Sequence, residues 1–131
     1  LIDQKIIKGT FENGTEYTIV ATVLNMKKEL LRMIQKFDFT KTNPKLVYIN
    51  VTEENISLED TILTVFLNLL GFDIVFFVPT GYQTVEKYLN QKQMDEHQIG
   101  GYLYDLRIPD FNALPSTKPM SWKDKIFRRG L

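Results

Sequence analysis

The sequence predicts a single α/β domain in which helices alternate with the strands of a mostly parallel sheet. Two short, almost uninterrupted apolar runs, residues 46–51 and 73–78, have the pattern of strands that are buried on both faces. Residues 62–70 are apolar over most of a helical circumference and separate these two strands. A strand, a helix and a second strand in this order favour parallel pairing through a right-handed crossover. The predicted architecture is a three-layer, Rossmann-like sheet in residues 1–109, with residues 110–131 as a C-terminal extension in a fragment of a longer protein.

The amino-terminal part predicts a β-hairpin followed by a helix. Residues 6–10 and 17–24 are rich in β-branched and aromatic residues, and an Asn-Gly pair between them tolerates the positive φ angles of a tight turn. Asn25 is a residue type that caps helices well. The apolar residues of the segment 26–37 then recur at helical spacing, which predicts an amphipathic helix packed on one face.

Local signals predict the ends of the remaining elements. Ser57 is expected to cap the buried helix, and Gly71 to end it in the left-handed conformation. A short helix is expected over residues 82–91, after the second buried strand. Residues 102–108 alternate between apolar and polar side chains, which predicts a half-exposed strand at an edge of the sheet.

The composition excludes several classes of function and of site. The 16 basic and 16 acidic side chains cancel, so no overall field attracts nucleic acid, and no nucleic-acid partner is expected. The chain has no cysteine and one histidine, which excludes thiolate catalysis and cysteine- or histidine-rich metal sites. The sequence predicts no metal site and does not identify a cofactor. The most apolar region, residues 62–78, is interrupted by Asn, Gly and Asp, which favours a buried helix and strand over a membrane span.

Four residues form the candidate ligand site. In open α/β sheets, ligands bind beyond the carboxyl ends of the strands, where the following helices begin. Thr52 follows the first buried strand, and Thr80, Gly81 and Tyr82 follow the second. Hydroxyl and backbone N–H groups in these loops could hold an anionic small molecule, a nucleotide or a sugar-phosphate, with Tyr82 stacked on a ring. The alternative is ordinary strand-to-helix turn chemistry; the sequence has neither a glycine-rich phosphate-binding loop nor a dinucleotide fingerprint.

Three residues are candidates for acid–base catalysis. Glu53 could act as a base or bind a metal, although an acid before a helix usually only favours the helix dipole. His97 suits proton transfer if it faces a pocket, and the alternative is a solvent-exposed histidine. Asp105 shares a face of its predicted strand with Arg107. The two either line a cleft beside His97 or pair across the sheet edge.

The C-terminal end is basic and carries a few large apolar residues. Lysine and arginine outnumber acids over residues 118–129, and Trp122, Ile126 and Phe127 lie among them. This pattern fits a segment that binds a partner protein or a membrane surface. The alternatives are a solvated tail and a docking helix.

Two stretches of sequence resemble a known family. Residues 66–82 read Phe-Leu-Asn-Leu-Leu-Gly-Phe-Asp-Ile-Val-Phe-Phe-Val-Pro-Thr-Gly-Tyr, and residues 97–102 read His-Gln-Ile-Gly-Gly-Tyr, followed by Asp105-Leu106. The chain resembles the YceG-like family of bacterial proteins, most strongly over residues 46–109. These proteins are encoded beside tellurite (toxic anion) resistance and general stress genes. The resemblance implies a C-terminal domain of a longer cytoplasmic protein, with partners among the other proteins of the resistance cluster, and it supplies no catalytic motif.

Three functions remain open on the sequence. A ligand-binding domain requires a pocket at the strand ends, with backbone N–H groups directed into it. A transferase-type enzyme domain, completed by a missing N-terminal part, requires His97 or a carboxylate in that pocket with a perturbed pKa. A non-catalytic protein-interaction module requires an exposed apolar patch, with Trp122 or Phe127 uncovered.

Overall fold

The computed structural model describes residues 5–8 and 14–110, which form a mixed α/β fold. The elements, in chain order, are helix α1 (Thr15–Leu24), helix α2 (Lys28–Lys36), strand β1 (Lys45–Ile49), helix α3 (Leu58–Leu69), strand β2 (Asp73–Phe77) and a short 3₁₀ helix (Gln91–Gln93). β1 and β2 pair in parallel, with α3 between them in the chain. The predicted order of strand, helix and parallel strand is therefore confirmed.

The register of the two strands is fixed at both ends. Lys45 lies opposite Asp73, and Ile49 lies opposite Phe77. At the amino end, Lys45 Nζ lies 2.7 Å from Asp73 Oδ2, and this hydrogen bond holds the pKa of the Asp73 carboxyl below its usual range. At the carboxyl end, the Asn50 N–H donates to the Phe77 carbonyl at 3.0 Å and extends the ladder by one residue. The ion pair is exposed, so it orients the strands more than it stabilises them.

Helix α3 is capped at both ends as the sequence predicts. Ser57 Oγ accepts a hydrogen bond from the Asp60 N–H at 3.0 Å, which satisfies one of the free donors of the first turn. At the other end Gly71 adopts a φ of +106°, and the Phe72 N–H donates to the Leu67 carbonyl. A left-handed residue just after a helix gives the last carbonyls a donor, and glycine adopts this conformation without a Cβ penalty.

The core lies where α3 meets α1 and the segment that follows β2. Its buried members are Ile7, Ile62, Val65, Val85 and Leu89. Ile7 and Leu89 also form an antiparallel bridge. A short length of backbone before α1 is therefore tied to the segment after β2.

The predicted amino-terminal hairpin is wrong over residues 17–24, which form α1. β-branched residues favour strands only weakly, and packing overrides that preference. Ile19 and Val23 lie one helical turn apart on α1, and both pack against the core. Gly14, with a φ of +68°, stands at the start of this helix. Residues 9–13, which include the first half of the predicted turn, lie outside the described residues.

Asn25 ends α1 and does not begin α2. Its side-chain Nδ2 donates to the Ala21 carbonyl at 2.8 Å, and its own N–H donates to the same carbonyl at 3.0 Å. Helix α2 begins three residues later, at Lys28. The predicted helix is therefore present but shorter than expected, because Asn25 satisfies a carbonyl of the helix before it.

The prediction that both strands are buried on both faces is wrong. Side chains of β1 and β2 alternate between exposed and half-buried along each strand. Tyr48 and Phe76 lie on the half-buried face with their rings stacked 5.2 Å apart, and Phe76 packs against the core. Val47 and Val75 lie on the other face and are exposed. The predicted third layer, a second layer of helices, is therefore not confirmed in the described chain.

The two elements predicted after β2 are also wrong. Residues 82–90 contain no α-helix, because Thr84 and Val85 turn inward and the Thr84 carbonyl accepts the Ile56 N–H at 3.0 Å. Residues 102–108 form no strand and stay exposed throughout. The predicted C-terminal extension, except for Asp110, lies outside the described residues.

Within residues 5–8 and 14–110, no helix is both long enough and apolar enough to cross a bilayer.

Candidate functional site

Asn50 organises the edge at which the carboxyl ends of β1 and β2 meet. Its Nδ2 donates to Thr84 Oγ1 at 3.0 Å and to the Glu54 carbonyl at 3.1 Å. Its Oδ1 accepts from the N–H and the hydroxyl of Thr52, at 3.1 and 3.0 Å. One amide therefore joins the loop after β1 to the loop after β2. The sequence carried a signal for this role, because asparagine directly after a strand commonly bonds the backbone two residues on.

Replacing Asn50 by alanine is expected to lower the free energy of unfolding by about 1–2 kcal/mol, since four hydrogen bonds, one of them part-buried, lose their partner. Urea unfolding followed by circular dichroism measures this difference. Asn55→Ala, at an exposed position of the same loop, is the matched control and should change the midpoint little. Equal midpoints for the two variants would contradict the role of Asn50.

Glu53 and Tyr82 come together across the same edge. A hydrogen bond to the Glu53 carboxylate, helped by its negative charge, raises the pKa of the Tyr82 hydroxyl. The ring of Tyr104 packs edge-on against that of Tyr82, with centroids 6.2 Å apart. A tyrosine with a raised pKa stays protonated at neutral pH, so Tyr82 acts here as a hydrogen-bond donor.

Glu53→Gln is expected to move the Tyr82 pKa down toward its ordinary value. In the unchanged chain the folded pKa is raised, so the contact stabilises the fold at all pH values below the ordinary tyrosine pKa. That stabilisation is lost as the pH rises through the raised pKa. Spectrophotometric titration at 295 nm measures the shift, and Tyr82→Phe identifies which tyrosine moves. Identical titration curves with and without Glu53 would refute the contact.

Residues 102–104, here termed the aromatic strap, lie across the loop that follows β2. The Leu103 N–H donates to the Pro79 carbonyl at 2.9 Å. The Tyr102 ring rests against Gly81 so closely that a Cβ at position 81 would overlap it. Gly81 has a φ of +71°, so both its backbone conformation and its neighbour require glycine. The strap was predicted as part of an edge strand, and the structure instead uses its rings to cover the turn.

The predicted ligand residues reach one edge, but their polar groups are used within the loops. Thr80 is buried, and its Oγ1 lies 3.5 Å from the Tyr82 N–H. The Gly81 N–H donates to the Val78 carbonyl at 3.1 Å. The N–H and the hydroxyl of Thr52 both donate to Asn50 Oδ1. This is the turn chemistry of the alternative interpretation, and anion binding stays a prediction.

The candidate catalytic residues are not brought together. His97 and Asp105 lie on exposed segments. No hydrogen bond or ion pair within residues 5–8 and 14–110 joins either side chain to Glu53. Arg107 is exposed as well. Their acid–base role stays a prediction that the geometry does not single out.

An open groove of about 570 Å³ lies between the first and third helices. Its lining comes from α1, from Asn25 just after it and from one residue of α3: Tyr17, Thr18, Ala21, Thr22, Asn25 and Glu59. The sequence does not predict this groove, because most of its lining falls in residues 17–24, which have the pattern of a strand. The groove is formed by helix side chains and includes none of the predicted ligand residues.

Comparison with known proteins decides the family. The profile of the YceG domain matches residues 1–114. The chain belongs to the YceG family. A YceG-family relative named "Uncharacterized protein YceG", from Bacillus subtilis (strain 168), is 33% identical over 81 residues, which cover 61% of this chain and 15% of the relative. No solved structure matches the chain. The resemblance to the YceG-like family is therefore confirmed, and the chain matches only a small part of that relative's length.

Proposed function

We propose that this YceG-family domain is a non-catalytic protein-interaction module. The observation that carries the proposal is an uncovered face of the parallel sheet, here termed the open face. It consists of Val47 and Ile49 of β1 and Val75 and Phe77 of β2, whose exposed fractions are 57%, 37%, 54% and 49%. All four side chains are apolar.

The open face is continuous. Val47 pairs with Val75 and Ile49 pairs with Phe77, so the four side chains form a two-by-two patch. Parallel sheets occur almost only with both faces covered, and α3 covers only the opposite face here. Burial of apolar surface is worth about 25 cal/mol per Å². A partner that covers the patch gains this free energy, which supports docking rather than permanent exposure to water.

The family resemblance gives the proposal its setting. The partners would be proteins of a bacterial tellurite-resistance and stress gene cluster, in the cytoplasm, and the domain would act as part of a longer protein. The exposed patch satisfies the general requirement for an interaction module. Trp122 and Phe127, the residues first expected to form such a patch, lie outside the described residues.

Val75→Asp tests the function. If the open face is the contact surface, the tagged wild-type chain should elute from a bacterial extract in a complex, and the variant should elute at the mass of one chain. Gln93→Asp, with the same new charge at an exposed polar position, should elute as wild type does. Identical profiles for all three would remove the basis of the proposal, provided that circular dichroism shows all three folded.

Binding of an anionic small molecule at Thr52, Thr80, Gly81 and Tyr82 stays a separate prediction. A ligand that binds only the folded state raises the melting temperature. Thermal-shift measurements with nucleotides, nucleotide-sugars, phosphate and tellurite test it. Thr52→Val is a better probe than a change at Gly81, which the turn itself requires. A shift that Thr52→Val abolishes would support the site, as well as the transferase alternative that shares it.

A further inference from the structure

We propose that the basic end of the chain binds to a surface of tyrosine rings and carboxylates at the carboxyl edge of the sheet in the same copy. The basic end is residues 118–129, here termed the basic segment. The surface, here termed the tyrosine–acid surface, consists of Glu53, Tyr82, Tyr102, Tyr104 and Asp105. This contact does not involve the open face, so it is a second contact beyond the one in the proposed function.

The tyrosine–acid surface is continuous and open to water. The ring of Tyr104 packs on that of Tyr82, and Tyr102 rests on the neighbouring Gly81, so three rings lie around one turn. Tyr82, Tyr102 and Tyr104 are 42%, 55% and 60% exposed. Exposed aromatic faces attract the cations of lysine and arginine, so this surface suits a basic partner.

Two exposed carboxylates accompany the rings. Glu53 accepts the hydrogen bond of the Tyr82 hydroxyl, and Asp105 follows Tyr104 directly in the chain. Within residues 5–8 and 14–110, no lysine or arginine forms an ion pair with either carboxylate. A basic side chain that lies over one of the rings therefore also meets a carboxylate that the described chain leaves without a cation.

The neutral total of the chain conceals a separation of charge along the sequence. The basic segment holds five basic side chains and one acid, so the remainder of the chain has four more acids than bases. The excess of acid lies in residues 46–110, which hold ten acids and three bases. The loops that form the tyrosine–acid surface, residues 52–54, 80–84 and 99–106, carry three acids and no base. Complementary charge therefore favours contact between this surface and the basic segment.

The large apolar side chains of the basic segment also have a counterpart. Trp122, Ile126 and Phe127 lie among its charges. On the surface, Leu103 lies between two of the tyrosines in the chain and is 55% exposed. Tyrosine, tryptophan and arginine are the residue types enriched in protein contacts, because each combines a large apolar body with a polar group.

The basic segment lies outside the described residues, and the length of chain before it lets it reach the surface. Tyr104 is six residues before Asp110, so their Cα atoms are at most about 22 Å apart, and from Asp110 to Lys118 the chain spans up to about 28 Å. A short connection holds a tethered segment at an effective concentration on the order of millimolar. Weak ion pairs and ring contacts are then sufficient, which favours the same copy over a second one.

Trp122 is the only tryptophan of the chain and lies in the basic segment, so its fluorescence reports on that segment alone. The full chain is titrated with acrylamide, an uncharged quencher, at low salt and at 1 M salt, where the screening length falls to about 3 Å. The test variant combines Tyr104→Ala with Asp105→Lys. The control combines Tyr17→Ala with Glu59→Lys, the same two changes at exposed residues of the groove between α1 and α3. Circular dichroism confirms that both variants fold.

At low salt the test variant should be quenched at least about threefold more strongly than the wild type and the control, and high salt should remove the difference. Dilution should leave the wild-type value unchanged, because the contact lies within one copy. Equal quenching of the two variants would overturn the choice of surface. Shielding of Trp122 that is lost on dilution would place the segment on a second copy and overturn the contact within one chain. A Trp122 released by Val75→Asp instead would assign the segment to the open face and overturn the proposal.

Discussion

Replacing Gly81 by alanine is expected to destabilise the chain by about 2–3 kcal/mol, from backbone strain together with loss of an aromatic contact. Gly81 has a φ of +71°, and a Cβ there overlaps the ring of Tyr102. The ring must move away, which also draws the Leu103 N–H from the Pro79 carbonyl. Urea unfolding measures the loss, and tyrosine fluorescence should report release of the aromatic strap.

Gly100 supplies a matched control. Its φ of +74° is nearly the same as that of Gly81, but a Cβ at position 100 meets no atom within 4 Å. Gly100→Ala therefore measures the cost of the backbone conformation alone, about 1 kcal/mol. The difference between the two variants is the contribution of the ring contact. If both variants lose the same stability, Tyr102 does not rest on Gly81 in solution.

Ile62→Ala is expected to lower the free energy of unfolding by about 3–4 kcal/mol, because it removes buried methyl groups and leaves a cavity. Ile62 is 0% exposed and belongs to the buried core cluster, together with Val65, Ile7 and Leu89. An effect of this size is a large share of the total stability of a small domain. Chemical unfolding monitored by circular dichroism measures it.

The control for Ile62→Ala lies on the same helix. Leu69 is 51% exposed, so Leu69→Ala removes the same class of side chain from a surface position. Its expected cost is within about 0.5 kcal/mol. Equal losses at the two positions would mean that α3 does not bury the face on which Ile62 lies.

The sequence predicted the elements that have strong local signals. Ser57 is a residue type that begins helices and Gly71 is one that ends them, and both do so here. The apolar run between them buries its side chains best as a helix. The two apolar runs around it became β1 and β2, paired in parallel as expected. Here local preference and tertiary packing point to the same structure.

The elements that failed are those in which tertiary packing decides. Residues 17–24 have side chains that favour strands, but the segment packs Ile19 and Val23 against the core as part of helix α1. The open face could not be predicted, because a continuous apolar run does not reveal how many faces of its strand are covered. Residues 102–108 alternate as an edge strand does, yet their aromatic rings pack on a turn instead.

The sequence placed Thr52, Thr80 and Tyr82 in the loops that follow β1 and β2, and that is where the structure has them. Their role in ligand binding stays a prediction of the rule for open sheets. The rule could not show that Asn50 Oδ1 would accept hydrogen bonds from both the N–H and the hydroxyl of Thr52, because that depends on which loop the amide reaches. Nor could it show that the carboxylate of Glu53 would meet the hydroxyl of Tyr82.

Photo-crosslinking from the open face is the most direct test of its role as a protein contact surface. Val75 is replaced by p-benzoylphenylalanine in the full chain, and the bacteria that produce it are irradiated. Glu54, exposed in the loop beyond the sheet, receives the same group as the control. The proposal predicts light-dependent adducts with protein from position 75 and few from position 54. The absence of adducts from position 75, or equal yields from the two positions, would contradict it.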